Sequence, residues 1–415
     1  MARTDAIVLG AGIVGTSAAL HLAKRGLAVT LVDRRGPGEE TSYGNAGVIE
    51  GNTLFPHAFP SGFGELLRIA LKRAPEANYH LSFLPKVAPW LLAYRFNTRA
   101  EGSLAFAEAM RPLFSRAVSE HEVLMAEAGA ARYLRKDGWL KLYRSDEAFA
   151  ATARERELAL TLGLTQRALS VEETRALEPS LMPVFRHAVH WPDAASVSNP
   201  LAVTKAYAAR FAALGGVIVN GDALKLHRSG QYWRVETDEG PIDAKDVVIA
   251  LGPFAPDLLQ RLGIDLPLMF KRGYHRHFSP RGNAGLTRPV VDTANGCCLA
   301  PMEQGIRLTT GAEFADRDAK PTPEQFDRLL PAARELFPLG EQLEVQPWMG
   351  SRPCFADSRP VIGRAPGQPG LWLDYGHAHW GLTLGPVSGR LVAEMMTGAT
   401  PFCDPKPYAA ERFNA

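Results

Sequence analysis

The sequence predicts an α/β fold in which two domains interleave along the chain. Residues 6–35 open it with a strand, a glycine turn, a helix and a second strand. Elements of the same kind recur in the middle, at "KDVVIAL", and near the end, at residues 371–397. Between them lies β-rich sequence, such as residues 268–314. Interleaved domains explain this order better than consecutive ones, because segments typical of one layer alternate with segments typical of another.

The opening unit, "AIVLGAGIVGTSAALHLAKRGLAVTLVDRR", has the residues that a dinucleotide site requires. Residues 6–9 form a short apolar run, as in a strand buried on both faces. In the following G-x-G-x-x-G, Gly10 allows the tight turn, Gly12 lets a pyrophosphate approach, and Gly15 lets the helix pack on the strand. Asp33 ends the second strand, 18 residues after Gly15, where a carboxylate can bind ribose hydroxyls. The unit predicts a Rossmann-like site and leaves NAD and FAD open.

The next elements follow from local signals. A strand is expected at "GWLKLY", between helices near residues 104–128 and 146–162. Ser170 and Glu173 have the spacing of a capping box, which predicts a short helix. Pro200 lies where the first turn of another helix is expected. The segments "GVIVN", "YWRVET" and "KDVVIAL" predict strands.

Composition limits the classes of partner. With 415 residues the chain can bury a large core and is expected to form two domains. A net charge of +2 without a basic block predicts no nucleic-acid partner. The apolar N-terminal run is too short for a signal peptide, and no stretch has the length of a membrane span. We expect a reducing, cytoplasmic setting, with neither a disulfide framework nor a metal site, because no C-x-x-C occurs among Cys297, Cys298, Cys354 and Cys403.

Several segments together resemble the FAD-dependent D-amino acid oxidase superfamily. They are the opening motif with Asp33, "TSYGNAGVI", "VVIALGPFAPDLL", "SRPCFADSRPVIGRAP" and "LDYGHAHWGLTLGPVSGRLVAEMMTG". The bacterial D-amino acid dehydrogenases are the most similar, with glycine oxidase and sarcosine oxidase further away. The resemblance implies FAD as the cofactor. It also implies a Rossmann-like FAD-binding domain of the glutathione-reductase type, interleaved with an α+β substrate domain on a mostly antiparallel sheet.

The resemblance predicts where the two domains alternate. The FAD-binding domain is expected to comprise residues 1–55, 145–265 and 345–415. The substrate-binding domain is expected to comprise residues 56–144 and 266–344.

The same resemblance implies the residues around FAD. Hydroxyl groups at 41 and 42 would meet the pyrophosphate, and residues 44–47 would pass beside the flavin ring. The backbone at 223 would meet the adenine, and the start of the last helix would point at the flavin's pyrimidine edge, where its dipole stabilises negative charge. Phe254 stands where the family usually has tryptophan, so whether Phe254 contacts FAD stays open at this point. The expected cofactor set is Gly10, Gly12, Gly15, Asp33, Arg34, Thr41, Ser42, Gly44, Asn45, Ala46, Gly47, Ala223, Gly252, Gly381, Leu382, Thr383 and Leu384.

Arg352, in "GSRP", matches the family's arginine that pairs with the substrate carboxylate. His379 either contacts substrate, helps to accept a proton, or is a packed, hydrogen-bonded histidine. Tyr274 is a candidate pocket hydroxyl, and Cys298 is expected on the same wall. The roles of His275 and His277 stay open at this point, because the alternation in "RGYHRHF" says only that one pair faces inward.

Covalent attachment of the flavin is not expected. Sarcosine oxidases attach FAD through a cysteine, and the matching position here is Gly350. Cys354 lies four residues away from it. The sequence therefore predicts non-covalent FAD.

The resemblance implies oxidative deamination of a D-amino acid, with hydride passing from Cα to flavin N5 and the imine hydrolysed to a 2-oxo acid and ammonia. The alternatives are oxidation of a secondary amine, such as a (hydroxy)proline or an N-methyl amino acid, or a non-catalytic flavin subunit or NAD-binding module. The electron acceptor is left open between a quinone, a carrier and O₂. Residues 85–94 could touch the inner face of the membrane or form a buried apolar loop.

Overall fold

The computed structural model describes residues 2–60 and 62–413. Its helices are α1 Ile13–Lys24, α2 Phe63–Ala70, α3 Leu84–Asn97, α4 Ala100–Glu127, α5 Asp146–Ala150, α6 Ala153–Thr161, α7 Val171–Leu177, α8 Pro200–Ala213, α9 Ala255–Arg261, α10 Glu324–Leu336 and α11 Gly381–Met396.

The strands follow the chain in this order: β1 Ala2–Leu9, β2 Val29–Asp33, β3 Val48–Ile49, β4 Ala77–Tyr79, β5 Leu134–Arg135, β6 Trp139–Tyr143, β7 Arg167–Leu169, β8 His187–Trp191, β9 Ala195–Val197, β10 Val217–Asn220, β11 His227–Ser229, β12 Tyr232–Thr237, β13 Gly240–Ile249, β14 Met269–Pro280, β15 Val290–Asp292, β16 Cys297–Met302, β17 Gly305–Thr309, β18 Ala312–Phe314, β19 Leu339–Gln342, β20 Trp348–Cys354, β21 Val361–Arg364 and β22 Leu371–Tyr375.

The first sheet has a parallel centre of β10, β2, β1, β13 and β22. The antiparallel strands β12 and β11 extend it beside β13, and β21 pairs with β22. Its central strands are apolar along most of their length because both faces are covered by packed side chains. The predicted βαβ opening and Rossmann-like domain are confirmed.

Helices α1, α8 and α11 cover one face of this sheet. The backbones of α1 and α11 approach closely, since a Cβ at Gly389 would lie 2.7 Å from the backbone nitrogen of Ala18. Helix α4 adds a further layer through Phe114, whose ring meets Trp380 edge-to-face at 5.4 Å between centroids. This packing fixes where α1 and α11 begin.

The second sheet is mostly antiparallel, as expected, and β14 lies at its centre. The order is β4, β18, β14, β17, β16, β15, β6, β8 and β7, with β19 and β20 also paired to β14. Only β4 with β18 and β6 with β15 run parallel in this sheet, among the residues described. A small third sheet, β3–β9–β5, lies beside these two.

The division of strands differs in part from the predicted domain boundaries. Strands β7 and β8 fall within residues 145–265, and β20 falls within 345–415, yet all three belong to the second sheet. The reason is pairing: β8 forms an antiparallel ladder with β6, and β20 does so with β14. Conversely, α4, from the predicted substrate domain, packs its apolar face on α11. The chain therefore crosses between the layers more often than predicted.

Residues 85–94 form most of helix α3 rather than a loop. Val87, Trp90 and Tyr94 are buried, whereas the Leu92 side chain is 69% exposed. No helix in the described part of the chain combines the length and the apolar character that crossing a bilayer requires.

Candidate active site

One long cavity runs between the two sheets and brings together most of the predicted site residues. It begins beside the glycine turn after β1 and reaches β20 and the loop before α11. The predicted residues that line it are Gly10, Gly12, Asp33, Arg34, Thr41, Ser42, Gly44, Asn45, Ala223, Gly252, Tyr274, Arg352, His379, Gly381 and Leu382. Gly15, Ala46, Gly47, Thr383 and Leu384 are not among its lining residues.

The glycine turn has the close contacts that its motif predicts. Gly10 has φ +102°, and a Cβ there would lie 2.6 Å from the carbonyl oxygen of Ala250. A Cβ at Gly15 would lie 1.9 Å from the carbonyl oxygen of Gly10, so Gly15 serves helix packing rather than the cavity. Gly12 is the N-cap of α1 and supplies no side-chain cap. The first turn of α1 thus opens onto the cavity with its positive end.

Asp33 is tied to the turn that it faces. One carboxylate oxygen accepts the N–H of Ala11 at 2.6 Å, and the other accepts that of Arg35 at 2.8 Å. Burial raises the pKa of Asp33 above its usual value, while these two hydrogen bonds oppose that shift. Next to it, the Arg34 guanidinium lies 4.2 Å from the centroid of the Phe254 ring. Phe254 therefore belongs to this end of the cavity as a partner of Arg34.

The loop at residues 41–47 is held from both sides. Ser42 accepts the N–H of Ile13 at 2.9 Å, which joins the loop to the start of α1. A Cβ at Gly44 would overlap the Trp348 ring, 1.7 Å from its nearest atom. At Gly47 it would lie 2.4 Å from the carbonyl oxygen of Val197. The glycine requirement at 47 thus comes from β9. Residues 46 and 47 are not among the lining residues, and their place beside the flavin ring stays a prediction.

Arg307, on β17, is a positioning residue that sequence reasoning missed. Its guanidinium donates to the carbonyl oxygens of Tyr43 at 2.8 Å and Asn45 at 2.5 Å. Burial lowers the pKa of Arg307 to about 10. The side chain also bonds to His277, which contacts Glu344 in turn. The signal that could have identified it is an arginine within the otherwise apolar strand "GIRLT".

His275 and His277 now have structural roles. His275 stacks on Trp348 at 4.9 Å between ring centroids and lies 5.4 Å from Tyr43. His277 supports Arg307. Both histidines therefore brace the loop that passes the cavity.

Helix α11 presents its start to the cavity. Gly381 and Leu382 line it, and the N-cap residue, Trp380, makes no side-chain cap hydrogen bond. The Thr383 hydroxyl donates to the carbonyl oxygen of Val48 and accepts the N–H of Glu50, so it joins α11 to β3. Leu384 lies in the core. Of the four residues predicted here, the first two reach the cavity and the last two hold the helix in place.

The cavity fits an FAD molecule by its shape and its donors. Two helix N-termini open onto it, and neither N-cap residue supplies a side-chain cap, although Ser42 accepts the first N–H of α1. The other backbone N–H groups at such ends suit phosphate or a developing negative charge. A Cβ at Gly252 or Gly381 would meet no atom within 4 Å, so open space remains beside these residues. Asp33 stands at one end, where a ribose is expected.

Arg352 lies at the other end of the cavity. It donates to the carbonyl oxygens of Gly311 at 2.9 Å and Thr310 at 3.3 Å. The guanidinium lies across Gly273, where a Cβ would approach it to 2.3 Å. Burial lowers the pKa of Arg352, although an arginine stays charged at neutral pH. Within residues 2–60 and 62–413 no Asp or Glu side chain forms an ion pair with it, so the planar fork is available for a carboxylate.

His379 reaches the cavity from a strained loop. Ala378 has φ +51°, which is uncommon for a residue with a side chain, and its N–H donates to the carbonyl oxygen of Pro353 at 2.9 Å. The loop is thereby fixed to the strand that carries Arg352. The ring of His379 stacks on His57 at 4.8 Å between centroids.

Both stacked histidines have lowered pKa values. Burial holds the pKa of His379 well below its usual value, and the nearby cations Arg352, Lys271 and Lys141 lower it further. Desolvation and the same three cations also lower the pKa of His57, although this residue remains partly open to solvent. A neutral imidazole can accept a hydrogen bond from a bound amine. His57 carries no motif, and we find no sequence signal that would have identified it.

The Tyr274 hydroxyl is hydrogen-bonded within the protein. The hydroxyl donates to Glu313 at 2.7 Å and accepts the N–H of Thr322 at 2.8 Å. Arg272 pairs with the same Glu313 carboxylate at 2.6 Å. Because side chains alternate along β14, Tyr274 and Arg272 lie on the face opposite to Gly273. Tyr274 lines the cavity, but its hydroxyl already has partners in Glu313 and Thr322; a contact of this hydroxyl with substrate stays a prediction.

The cysteines lie away from the cavity lining. Cys298 packs against Ala46 behind the loop and is not among the lining residues. Cys354 is buried, and its sulfur lies 3.5 Å from the carbonyl oxygen of Arg352. Gly350 lines the cavity and is covered by Trp348, 2.1 Å from where a Cβ would be.

Lys271 was also missed by sequence reasoning. It lies directly opposite Arg352 in the β14–β20 ladder. Its ammonium nitrogen lies 4.1 Å from the centroid of the Tyr94 ring and 4.9 Å from that of Trp90. Both rings belong to α3. A lysine beside "RGYH" gave no motif signal, because its neighbours become visible only when β20 and α3 pack around it.

Comparison with known proteins agrees with this geometry. The family described as FAD dependent oxidoreductase (DAO) matches residues 5–395. The D-amino-acid oxidase of Bradyrhizobium diazoefficiens is 30% identical, with 98% of each chain covered. The D-amino acid dehydrogenase of Paramagnetospirillum magneticum is 31% identical, with 94% of each chain covered.

Two solved structures have the same fold. Glycine oxidase from Geobacillus kaustophilus superposes with a TM-score of 0.77 at 22% identity, covering 99% of both chains. L-proline dehydrogenase from P. horikoshii superposes with a TM-score of 0.75 at 20% identity, covering 100% of this chain and 98% of the other. From the family match over most of its length, the chain belongs to the DAO family of FAD-dependent oxidoreductases and is an enzyme that oxidises amino acids.

Proposed function

We propose that this enzyme oxidises a D-amino acid to the corresponding 2-oxo acid and ammonia, with non-covalently bound FAD. The observation that carries the proposal is Arg352: a half-buried guanidinium that lines the cavity at the end opposite Asp33, without an acidic partner in the described residues. A planar fork of this kind binds a carboxylate through two parallel hydrogen bonds. The D configuration is proposed from the names of the two relatives that are about 30% identical.

The residues divide the work along the cavity. When bound, FAD supplies the two-electron acceptor for the hydride that leaves the substrate carbon. The start of α11 places its positive dipole end on the cavity, and Arg352 would hold the substrate by its carboxylate. The amine must lose a proton before its carbon can release hydride. Water then converts the imine to the 2-oxo acid and ammonia, so the chain needs no nucleophile of its own.

Neutral His379 suits a contact with the substrate amine. A protonated imidazole would repel an ammonium group and could not accept a hydrogen bond from it. Because burial lowers the pKa of His379, its ring is uncharged at neutral pH and can accept a hydrogen bond from the amine, whereas a ring of such low basicity is a poor acceptor for the proton itself.

Anaerobic mixing with a panel of amines tests the proposal. D-amino acids should bleach the yellow flavin absorbance, and a 2-oxo acid should appear in equal amount. L-amino acids, N-methyl amino acids, proline and hydroxyproline complete the panel. Bleaching confined to the secondary amines would support the alternative function and overturn this one.

Two further measurements address cofactor attachment and the acceptor. Acid precipitation should release the flavin into the supernatant, because Gly350 offers no sulfur for a covalent bond; flavin retained on the pellet would contradict this. Reoxidation of the bleached enzyme by O₂ and by a soluble quinone, followed in parallel, should identify the faster acceptor. Addition of lipid vesicles to the quinone reaction would show whether a membrane surface contributes.

A further inference from the structure

Next to Arg352, strand β14 carries a second cation, Lys271, which is not itself among the residues that line the cavity. Lys271 and Arg352 occupy directly opposed positions of the β14–β20 ladder, so their side chains leave the sheet on the same face. That face is the cavity side, because Gly273 lines the cavity two residues further along β14 and Arg352 lies across it. Like charges at opposed positions destabilise a strand pair. The free protein therefore bears an electrostatic cost that a bound anion would relieve.

No acidic side chain in the described part of the chain offsets Lys271. Its ammonium group packs against the rings of Tyr94 and Trp90, and its ordinary ion-pair partners are absent from its surroundings there. Lys141, a third cation near His379, differs in this respect, since it lies 3.7 Å from Glu155. Lys271 and Arg352 thus form an unbalanced pair of positive charges.

We propose that the substrate carries a second carboxylate, which Lys271 binds while Arg352 binds the carboxylate of the amino acid. The inference rests on the proposed function and narrows its substrate class to amino dicarboxylates. A single carboxylate balances one of the two cations, whereas a dicarboxylate balances both. The second carboxylate can stand on the side chain, as in D-aspartate and D-glutamate, or on the nitrogen, as in iminodiacetate.

Matched pairs of substrates test the second carboxylate. D-Aspartate is compared with D-asparagine, D-glutamate with D-glutamine, and iminodiacetate with its monoamide, since each pair differs in charge and little in shape. In the wild type, the acid of at least one pair should have a kcat/KM roughly 30-fold or more above that of the amide, as expected for a buried charge pair. The pair that responds identifies the position of the second carboxylate.

Variants at Lys271 assign the preference to this residue. Lys271→Met removes the charge and keeps most of the apolar stem, so the acid should lose its advantage while the amide changes little. Lys271→Arg keeps a cation and should retain a large part of the preference. Lys86→Met is the matched control, since Lys86 lies on α3 near the Phe83 ring but is exposed and paired with Asp316. This control variant should change kcat/KM for neither the acid nor the amide.

A binding measurement separates this inference from the proposed function. Succinate and its monoamide are unreactive, and their binding is followed by the change in flavin absorbance or in Tm. Succinate should bind more tightly in the wild type and lose that advantage in Lys271→Met. If no amine bleaches the flavin, the proposed function fails, while succinate binding still decides the role of Lys271.

Two results would overturn the second-carboxylate inference and leave the proposed function intact. One is equal kcat/KM for acid and amide in all wild-type pairs. The other is an equal loss on acid and amide in Lys271→Met, which would mean that both cations share one carboxylate. If Lys271→Met loses FAD or stability, the inference is decided by the acid-to-amide ratios of kcat/KM in the wild type and in Lys271→Arg.

Discussion

Arg352 has an unusual environment for a half-buried arginine, because its hydrogen-bond partners in the described residues are two backbone carbonyls rather than an acid. Buried charges are ordinarily paired, since desolvation of an isolated charge is costly. Its neighbour Lys271 likewise has no acidic partner among the described residues and packs against two aromatic rings. Asp33, at the far end of the cavity, is different: its carboxylate already holds the glycine turn through Ala11. At the Asp33 end of the cavity the charged side chain already has hydrogen-bond partners within the protein. At the Arg352 end the positive charges have no acidic partner among the described residues, so this end is suited to bind an anion.

Arg352→Ala should lower kcat/KM for the best amino acid by roughly 10²- to 10⁴-fold, because the carboxylate loses its partner in a buried site. Steady-state dye reduction measures this. FAD content and Tm should change little, and Arg352→Lys should recover part of the loss. Arg364→Ala, at an exposed arginine over Trp372, is the control and should behave as wild type. Loss of FAD in Arg352→Ala would instead indicate a structural role.

Asp33→Ala should lower FAD occupancy, because it removes both the expected ribose ligand and the acceptor for Ala11. Occupancy is measured from the ratio of flavin to protein absorbance after extensive dialysis. Asp5→Ala is a suitable control: Asp5 also accepts a backbone N–H, from Ala28 at 2.8 Å, but does not line the cavity. Equal occupancy in the two variants would contradict the assignment of Asp33.

At the scale of elements, helices α1 and α11 form one unit whose starts both face the cavity. Their spacing is set by Gly389, which leaves room for the backbone of Ala18. The position of either helix N-terminus therefore depends on a contact two turns away from the cofactor end. This contact joins stability to cofactor binding.

Gly389→Val should separate the two helices and reduce stability by about 1–3 kcal/mol, the usual cost of overpacking. Thermal melts should show a lower Tm, and FAD occupancy should fall with it because both N-termini shift. Gly64→Ala is the control, since a Cβ at that position of α2 would meet no atom within 4 Å. Unchanged Tm and occupancy in Gly389→Val would show that the helices adjust without affecting the cavity.

The elements that could be predicted from sequence are those determined by neighbouring residues. The βαβ opening, the capping box at Ser170 and the strand–loop–helix at the C-terminal end depend on local spacing, and all three are present. Arg307 and Lys271 could not be predicted as site residues. Arg307 lies in the mostly apolar strand β17, and its partners come from a segment more than 150 residues away. Lys271 lies in a strand without a motif, and the rings that it contacts belong to a helix without one. Their roles arise from packing between distant elements.

On the scale of the whole molecule, the stability of the fold depends on several buried histidines staying neutral. Burial lowers the pKa of His21 to about 3, that of His121 to about 4 and that of His275 to about 2. In the unfolded chain these groups titrate near 6.5, so between there and about 4 the unfolded state binds more protons. Stability must therefore fall as the pH falls through this window.

Tm should decrease as the pH is lowered from about 6.5 towards 4, by this linkage. In His121→Gln the decrease should be less steep, because the difference in bound protons between the unfolded and folded states is smaller by about one. His121 bridges Tyr207 and the carbonyl oxygen of Leu382 and has no charged partner in either contact. Calorimetry of both proteins across this pH range measures the slopes; an unchanged slope in His121→Gln would argue against the linkage.

The alternation along β14 also has a consequence for how such an enzyme can diversify. Lys271 leaves β14 on the face that carries Arg352, while Arg272 and Tyr274 belong to the buried network around Glu313 on the other face. Mutations at Lys271 can change which molecules are accepted without disturbing the fold, whereas mutations at Arg272 or Tyr274 mostly reduce the yield of folded protein. Gly273 lies under the Arg352 guanidinium, so a side chain there would displace it. A directed-evolution library restricted to Lys271 would thus explore new specificities at little risk, whereas randomising its neighbours on this strand would spend its diversity on unfolded chains.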